Sequence, residues 1–178
     1  SLNQAIYRVF SIVNKYTGSW RRYDLAYGLW NQKKRAGLDK LAEKDPSCVY
    51  FDTRLAAFSR LATTVSQQAV RKDIDFMRVD CEPVALAVQQ QADAWRGDYG
   101  RILRDVAFAK MEAFVESVDT LNEKLSATPA DLYELKAVLN VVAHVKDIKM
   151  DKELEFADIQ ERYRTLRCYN IKVEEEEM

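Results

Sequence analysis

The chain reads as an all-α protein, an elongated antiparallel helical bundle of about five to six helices. Three observations predict this. Only 5 Gly and 3 Pro interrupt 178 residues. Apolar residues recur with a period near 3.6 from end to end, the repeat of one helix face. The longest such pattern, residues 84 to 125, contains no proline. As one helix it would span about 60 Å at 1.5 Å per residue. A compact globule of this chain length is roughly 40 Å across, so such a helix implies an elongated body.

The elements follow in order from their punctuation. Leu2, Ile6, Val9, Phe10 and Val13 form one apolar stripe that Thr17-Gly18 stops. A second helix starts near Ser19 and runs to Pro46, which cannot continue it. Along its start Trp20, Tyr23, Tyr27 and Trp30 recur at three- and four-residue steps and line one side. Such a stripe serves either as a core seam or as an anchor for a partner. Asp52 is placed to cap the next helix, which buries Leu55, Phe58, Ala62, Val65 and Ala69.

The passage "RKDIDFMRVDCEP" predicts an extended or irregular connection, with Asp80 or Cys81 capping the helix after it. That long helix carries Leu86, Trp95, Tyr99, Ile102, Val106, Phe114, Val118, Leu121 and Leu125. Gly97 and Gly100 are its weak point, each costing roughly 1 kcal/mol relative to Ala in a helix interior. In "SATPADLYELKAVL", Thr128 stands as N-cap, Pro129 at the first helical position and Asp131 in the capping-box place. The helix it opens buries Leu132, Leu135, Leu139 and Val142 and ends near "KDIKMD". Asp151 then caps a last helix in which Leu154, Ile159, Tyr163 and Leu166 turn inward, while Asp158 and Arg162 form an outward ion pair. Residues 1 to 170 are read as one helical-bundle segment and 171 to 178, ending in "KVEEEEM", as a solvated acidic connector.

The composition narrows the function. With 27 basic and 28 acidic residues interspersed, nothing favours nucleic acid as a partner. No apolar run approaches the roughly 20 residues a bilayer needs, so no membrane partner is expected. Cys48, Cys81 and Cys168 are odd in number and far apart, as free thiols of a reducing compartment are. The chain begins at Ser1 rather than Met and stops inside "EEEEM", as an excised piece of a longer intracellular protein would.

Catalysis has little to work with. His144 is the only histidine, and no Cys or Ser-Asp constellation can be built around it. The Gly97 to Gly100 stretch "GDYG" lacks the G-K-[ST] of a phosphate loop. No cofactor is expected. In "DIQERYRTL", Ile159, Gln160 and Arg164 satisfy the first half of a light-chain-binding IQ pattern, and Arg167 extends its basic face. The second half fails: Thr165 stands where Gly is usual and Tyr169 at the later basic position. Ile159, Tyr163 and Leu166 also form the apolar face a bundle would use, so packing is the default reading and partner binding the alternative.

Residues 128 to 166, "TPADLYELKAVLNVVAHVKDIKMDKELEFADIQERYRTL", resemble the tail, or stem, of an axonemal dynein heavy chain, closest to the outer-arm type. "WRRYDLAYGLW" at 20 to 30, "FDTRLAAFSRL" at 51 to 61 and "ADAWRGDYGRIL" at 92 to 103 extend the likeness over nearly the whole chain. The resemblance implies a non-catalytic stack of helical bundles in the axoneme of a cilium or flagellum. The family's ATPase ring and microtubule-binding stalk lie elsewhere. It also implies, as partners, other tail segments, other heavy chains, intermediate and light chains and a calmodulin-like light chain. The competing readings are a helical adaptor module, docking partners through Trp20, Tyr23, Tyr27 and Trp30 or through Ile159 to Arg167, and an α-helical enzyme.

Overall fold

The computed structural model describes residues 2–172. The proposed acidic connector lies almost wholly outside them. Seven helical segments and one two-stranded hairpin make up the described chain. They are α1 (Leu2–Gly18), α2 (Arg21–Tyr27), α3 (Gln32–Ala36), α4 (Asp39–Ala42), α5 (Cys48–Ser66), β1 (Arg71–Ile74), β2 (Met77–Asp80), α6 (Glu82–Ser126) and α7 (Leu132–Cys168). The fold is all-α and bundle-like. It forms two compact units, Ser1–Gly100 and Arg101–Met178, whose boundary falls inside α6.

The core of the first unit is aromatic. Trp95 on α6 is fully buried, stacks on Phe58 of α5 with centroids 5.8 Å apart, and lies 6.1 Å from Tyr99. Its indole Nε1 donates to the Leu29 carbonyl at 2.8 Å, which ties the α2–α3 turn to the long helix. Burial and the neighbouring Tyr50 hydroxyl push the Tyr99 phenol up to about 12. Phe51, Leu55, Leu61 and Val65 complete the α5 face. On α1 only Val9 is fully buried, and Leu2 and Phe10 of the expected stripe are exposed.

Several boundaries differ from the sequence reading. The helix expected from Ser19 to Pro46 breaks at Gly28, whose φ of 61° ends α2 in a left-handed cap with its N–H on the Asp24 carbonyl. Asn31 then caps α3 through Lys34 N, and α4 is a single turn. Ser47, not Asp52, caps α5, accepting from Tyr50 N, and Ala69 falls beyond that helix.

The passage expected to be an extended or irregular connection is an antiparallel hairpin in the register Arg71 opposite Asp80 and Ile74 opposite Met77. Asp75, at φ 57°, makes its two-residue turn. Cross-strand pairs hold it: Arg71 with Asp80 at 3.0 Å and Arg78 with Asp73 at 2.6 Å. The guanidinium of Arg78 lowers the Asp73 carboxyl below its ordinary range, and the Glu82 N–H together with Arg71 lowers that of Asp80. Asp80 thereby caps the start of α6, accepting from Glu82 N at 2.9 Å.

α6 runs 45 residues without a break through Gly97 and Gly100. The buried Trp95, Tyr99, Ile102 and Leu103 on either side offset the cost of the two glycines. α7 is likewise one helix of 37 residues. Its N-cap is Asp131, accepting from Glu134 N at 2.8 Å, not Thr128, and Glu134 reaches back to Ala130 N at 2.7 Å. No break occurs at Asp151. Ion pairs across that stretch, Lys149 with Glu153 and Lys152 with Glu155, support the helix where the expected cap would have ended it.

Candidate functional site

The second unit is built on α6 and α7 lying side by side. On α6, Phe114, Val118, Leu121 and Leu125 recur at steps of four, three and four. On α7, Val138, Val141, Val145, Ile148 and Lys152 recur at steps of three and four. Both are heptad spacings, the pattern of a coiled-coil seam. Lys110 faces Asp158 at 3.6 Å, the rings of Phe114 and Phe156 stand 5.4 Å apart, and Ser117 faces Lys152. These pairs run in opposite directions along the two helices, so the pair is antiparallel and its register is fixed.

Lys152 is a charged residue in the seam. Its ammonium donates to Ser117 Oγ at 2.9 Å and to Glu155 Oε2 at 2.8 Å, and it lies 5.5 Å from the Phe114 ring centre. A lysine at a seam position lowers stability and specifies register, because a slipped pairing would leave the charge without these partners. Farther along α7, Ile159 and Leu166 are fully buried. Arg162 pairs with Asp158 at 2.9 Å, as the spacing predicts, but its side chain is 2% exposed. The guanidinium therefore points inward and occupies a seam position, while Asp158 stays partly exposed.

The same register explains a second correction. It sets the end of α6 level with Ala143, so about eleven residues of α7, some 16 Å, run on past it. Leu132, Leu135 and Leu139, expected in the core, are exposed: Leu132 and Leu139 fall one residue after the seam positions and turn outward, and Leu135 lies beyond the end of α6. Leu154 is exposed on the outer side of α7, as Leu86 is on α6.

The two flanks of the seam differ. On one side a groove of about 560 Å³ is lined by Val118, Leu125, Val145 and Phe156, together with Asp119, Lys149 and Glu153. The groove on the other side is mixed, with Ala113, Leu121 and Ile148 beside Glu116, Ser117, Thr120 and His144. His144 is exposed there. Among the described residues no cluster of His, Cys, Asp or Glu converges to hold a metal ion. No helix among them is long and apolar enough to cross a membrane. Cys48 and Cys81 are buried and Cys168 is exposed, and none of the three is in a disulfide.

The sequence-predicted partner residues fall in separate places. Trp20 and Tyr23 are buried in the first unit, and the Tyr23 hydroxyl donates to Gln68 Oε1. Tyr27 is half-buried, its ring 6.0 Å from Phe58. Trp30 is exposed at the edge of a groove that Trp20 and Val84 also line. In the second unit Ile159 is sealed in the core, whereas Gln160, Arg164 and Arg167 are exposed, with Arg164 paired to Glu161 at 3.3 Å. The apolar flank of the seam was missed. Its signal was present in a second set of heptad positions on α7, beside the first.

A continuous helix paired in heptad register with a second one defines the class: a coiled-coil segment of an α-helical protein. Known proteins of similar sequence agree. Residues 99–178 match the family model "Dynein axonemal heavy chain 2/5/8 coiled-coil", which opens at the unit boundary. The chain is 37% identical over 176 residues, 99% of its length, to the Dynein-1-alpha heavy chain of the flagellar inner arm I1 complex of Chlamydomonas reinhardtii. It is 32% identical over 94% of its length to human Dynein axonemal heavy chain 10. To the Dynein gamma chain of the Chlamydomonas flagellar outer arm it is 22% identical over 93%. The chain spans about 4% of the length of each of these relatives.

The chain belongs to the axonemal dynein heavy chains, of the cytoskeleton of the cilium or flagellum. The likeness runs to inner-arm and outer-arm chains alike, so the outer-arm part of the resemblance narrows to the axonemal class. What the family model covers is a coiled-coil region and not the ATPase motor.

Proposed function

We propose that this segment is a non-catalytic strut in the tail of an axonemal dynein heavy chain, linking the assembly and docking end to the motor ring and so contributing to ciliary motility. The observation that supports the reading most is the register-locked antiparallel pair of α6 and α7. Each helix carries its backbone hydrogen bonds internally, and side-to-side apolar seams resist sliding, so force passes along the pair without unravelling it. The partners in this reading are neighbouring tail segments, other heavy chains, and intermediate and light chains. Gln160, Arg164 and Arg167 give α7 an exposed polar edge for a light chain of the calmodulin type. In the first unit Trp30 offers the exposed ring for such contacts.

The test replaces residues 111 to 152 in the intact heavy chain with a flexible Gly-Ser segment of equal length. Motor ATPase activity is expected to persist while microtubule gliding driven through the tail is lost. Undiminished gliding would show that no force passes through this pair. ATP turnover by the isolated 178-residue chain would overturn the non-catalytic half of the proposal.

A further inference from the structure

With Asp131 as the N-cap of α7, the Thr128 hydroxyl has no capping role. Among the described residues it is the non-helical side-chain hydroxyl that makes no hydrogen bond. Ser19 donates to the Tyr16 carbonyl and Ser47 accepts from Tyr50 N, while the other serines and threonines lie within helices. Residues 127–129 have no regular structure, and every residue from 122 to 137 is exposed. Thr128 is also the one Ser or Thr of the chain that a proline follows. The Pro129 ring keeps Thr128 out of the helical region and in extended backbone, and it presents no N–H that a binding cleft must satisfy.

We infer that Thr128 is a phosphorylation site for a proline-directed serine/threonine kinase. An exposed, extended segment with a free hydroxyl is the form in which an acceptor enters a kinase cleft. Thr128 Oγ1 attacks the γ-phosphorus of the kinase-bound ATP. The Oγ1–P bond forms as the bond from that phosphorus to the β–γ bridging oxygen breaks. ADP leaves with the bonding pair, and the hydroxyl proton passes to the catalytic aspartate of the kinase.

The modification bears on the end of α7. The phosphate brings a charge of about −1.5 to −2 close to the Asp131 and Glu134 carboxylates, and Glu134 reaches back as far as Ala130 N. The helix dipole offers only about half a positive charge there, which the two carboxylates outweigh. No arginine occurs between residues 105 and 161 to take the phosphate in a bidentate grip. Repulsion therefore weakens the capping box. The first buried residue of α7 is Ile159, so the exposed turns that run past α6 have little packing to compensate.

The test treats the intact heavy chain, in its arm complex, with a proline-directed kinase and ATP and maps the phosphopeptides. Phosphate on Thr128 is expected, and its absence there overturns the proposal. Thr128→Ala should abolish labelling of this segment. Pro129→Ala, in the same exposed loop, should slow it at least tenfold, and an undiminished rate would refute the assignment to a proline-directed enzyme. Hydrogen exchange read by mass spectrometry on peptides from 132 to 142 should show protection falling about fivefold on phosphorylation, with residues 153 to 166 unchanged. Equal or greater protection at 132 to 142 would refute the coupling to the capping box.

Discussion

Replacing Lys152 with leucine tests whether the seam lysine supplies stability or register. The lysine side chain is 29% exposed and its partner Glu155 is 41% exposed. A half-exposed i, i+3 pair of this kind is worth about 0.5 kcal/mol. The hydrogen bond to Ser117 adds about 1 to 2 kcal/mol, and the cation near the Phe114 ring about 0.5 kcal/mol. Losing them strands nothing, because Ser117 Oγ also donates to the Phe114 carbonyl at 2.7 Å and Glu155 reaches water. Against this, a leucine buried to the same degree gains about 1 to 2 kcal/mol. The terms nearly cancel, and Lys152→Leu is expected to change unfolding free energy by less than about 1 kcal/mol. Register should change instead. With the Lys152 charge removed, Arg162 is left as the buried seam charge that opposes a slip of one heptad, about 10 Å, so slipped pairs become less costly. Urea unfolding gives the first quantity. The second is read by NMR from the contact between the Phe114 and Phe156 rings, 5.4 Å apart in the native register, which should weaken as slipped pairs appear. A loss of more than about 2 kcal/mol with the ring contact intact would refute the reasoning.

Two further outcomes concern the first unit. Trp95→Phe keeps a ring beside Phe58 but removes the donor to the Leu29 carbonyl. With Leu29 and Trp95 both buried, the orphaned acceptor and the lost volume should cost about 2 to 4 kcal/mol, lowering the urea midpoint with little change in slope. The hairpin should respond to acid. The carboxyls of Asp73 and Asp80 titrate below their ordinary values, so the stabilisation they give is complete above about pH 4. It is lost as pH falls through their folded-state values. The protection factors of the Lys72 and Val79 amides, paired across the strands, with the intrinsic pH dependence of exchange divided out, should therefore fall below pH 4 and stay flat from pH 5 to 8. A loss of protection on the alkaline side instead would contradict the assignment.

Helices were legible wherever long apolar periodicity met a clear stop, and less so where the signal was local. The continuity of α6 past Gly97 and Gly100 depends on Trp95, Tyr99 and Leu103 being buried, which no intrinsic propensity reports. Asp151 and Thr128 looked like caps because Asp and Thr favour caps. At 151 neighbouring ion pairs keep the helix going, and at 128 Asp131 with Glu134 makes the better box. The hairpin escaped because its outer face is charged: Arg71, Asp73, Arg78 and Asp80 mask the alternation that Ile74 and Val79 would show. Leu132, Leu135 and Leu139 were placed in the core because their three- and four-residue spacing marks an apolar side of α7, but the seam with α6 runs through Val138, Val141 and Val145 instead.

The same limit bears on partner binding. A heptad stripe states that a helix expects another helix, and on α7 that stripe meets α6. The energy of such a surface is in its leucines and valines, which are tolerant of slippage because any heptad shift presents similar side chains. Selectivity has to come from residues that make shifted or wrong pairings costly: Lys152 with Ser117, and Arg162 with Asp158. A force-bearing helical pair needs this division. Apolar seams alone would hold the helices together yet let them ratchet under load. A ratcheting step of one heptad must pull the Lys152 ammonium off Ser117. That step costs more than the resting pair gains from the lysine, so the residue matters to sliding far beyond its small share of equilibrium stability.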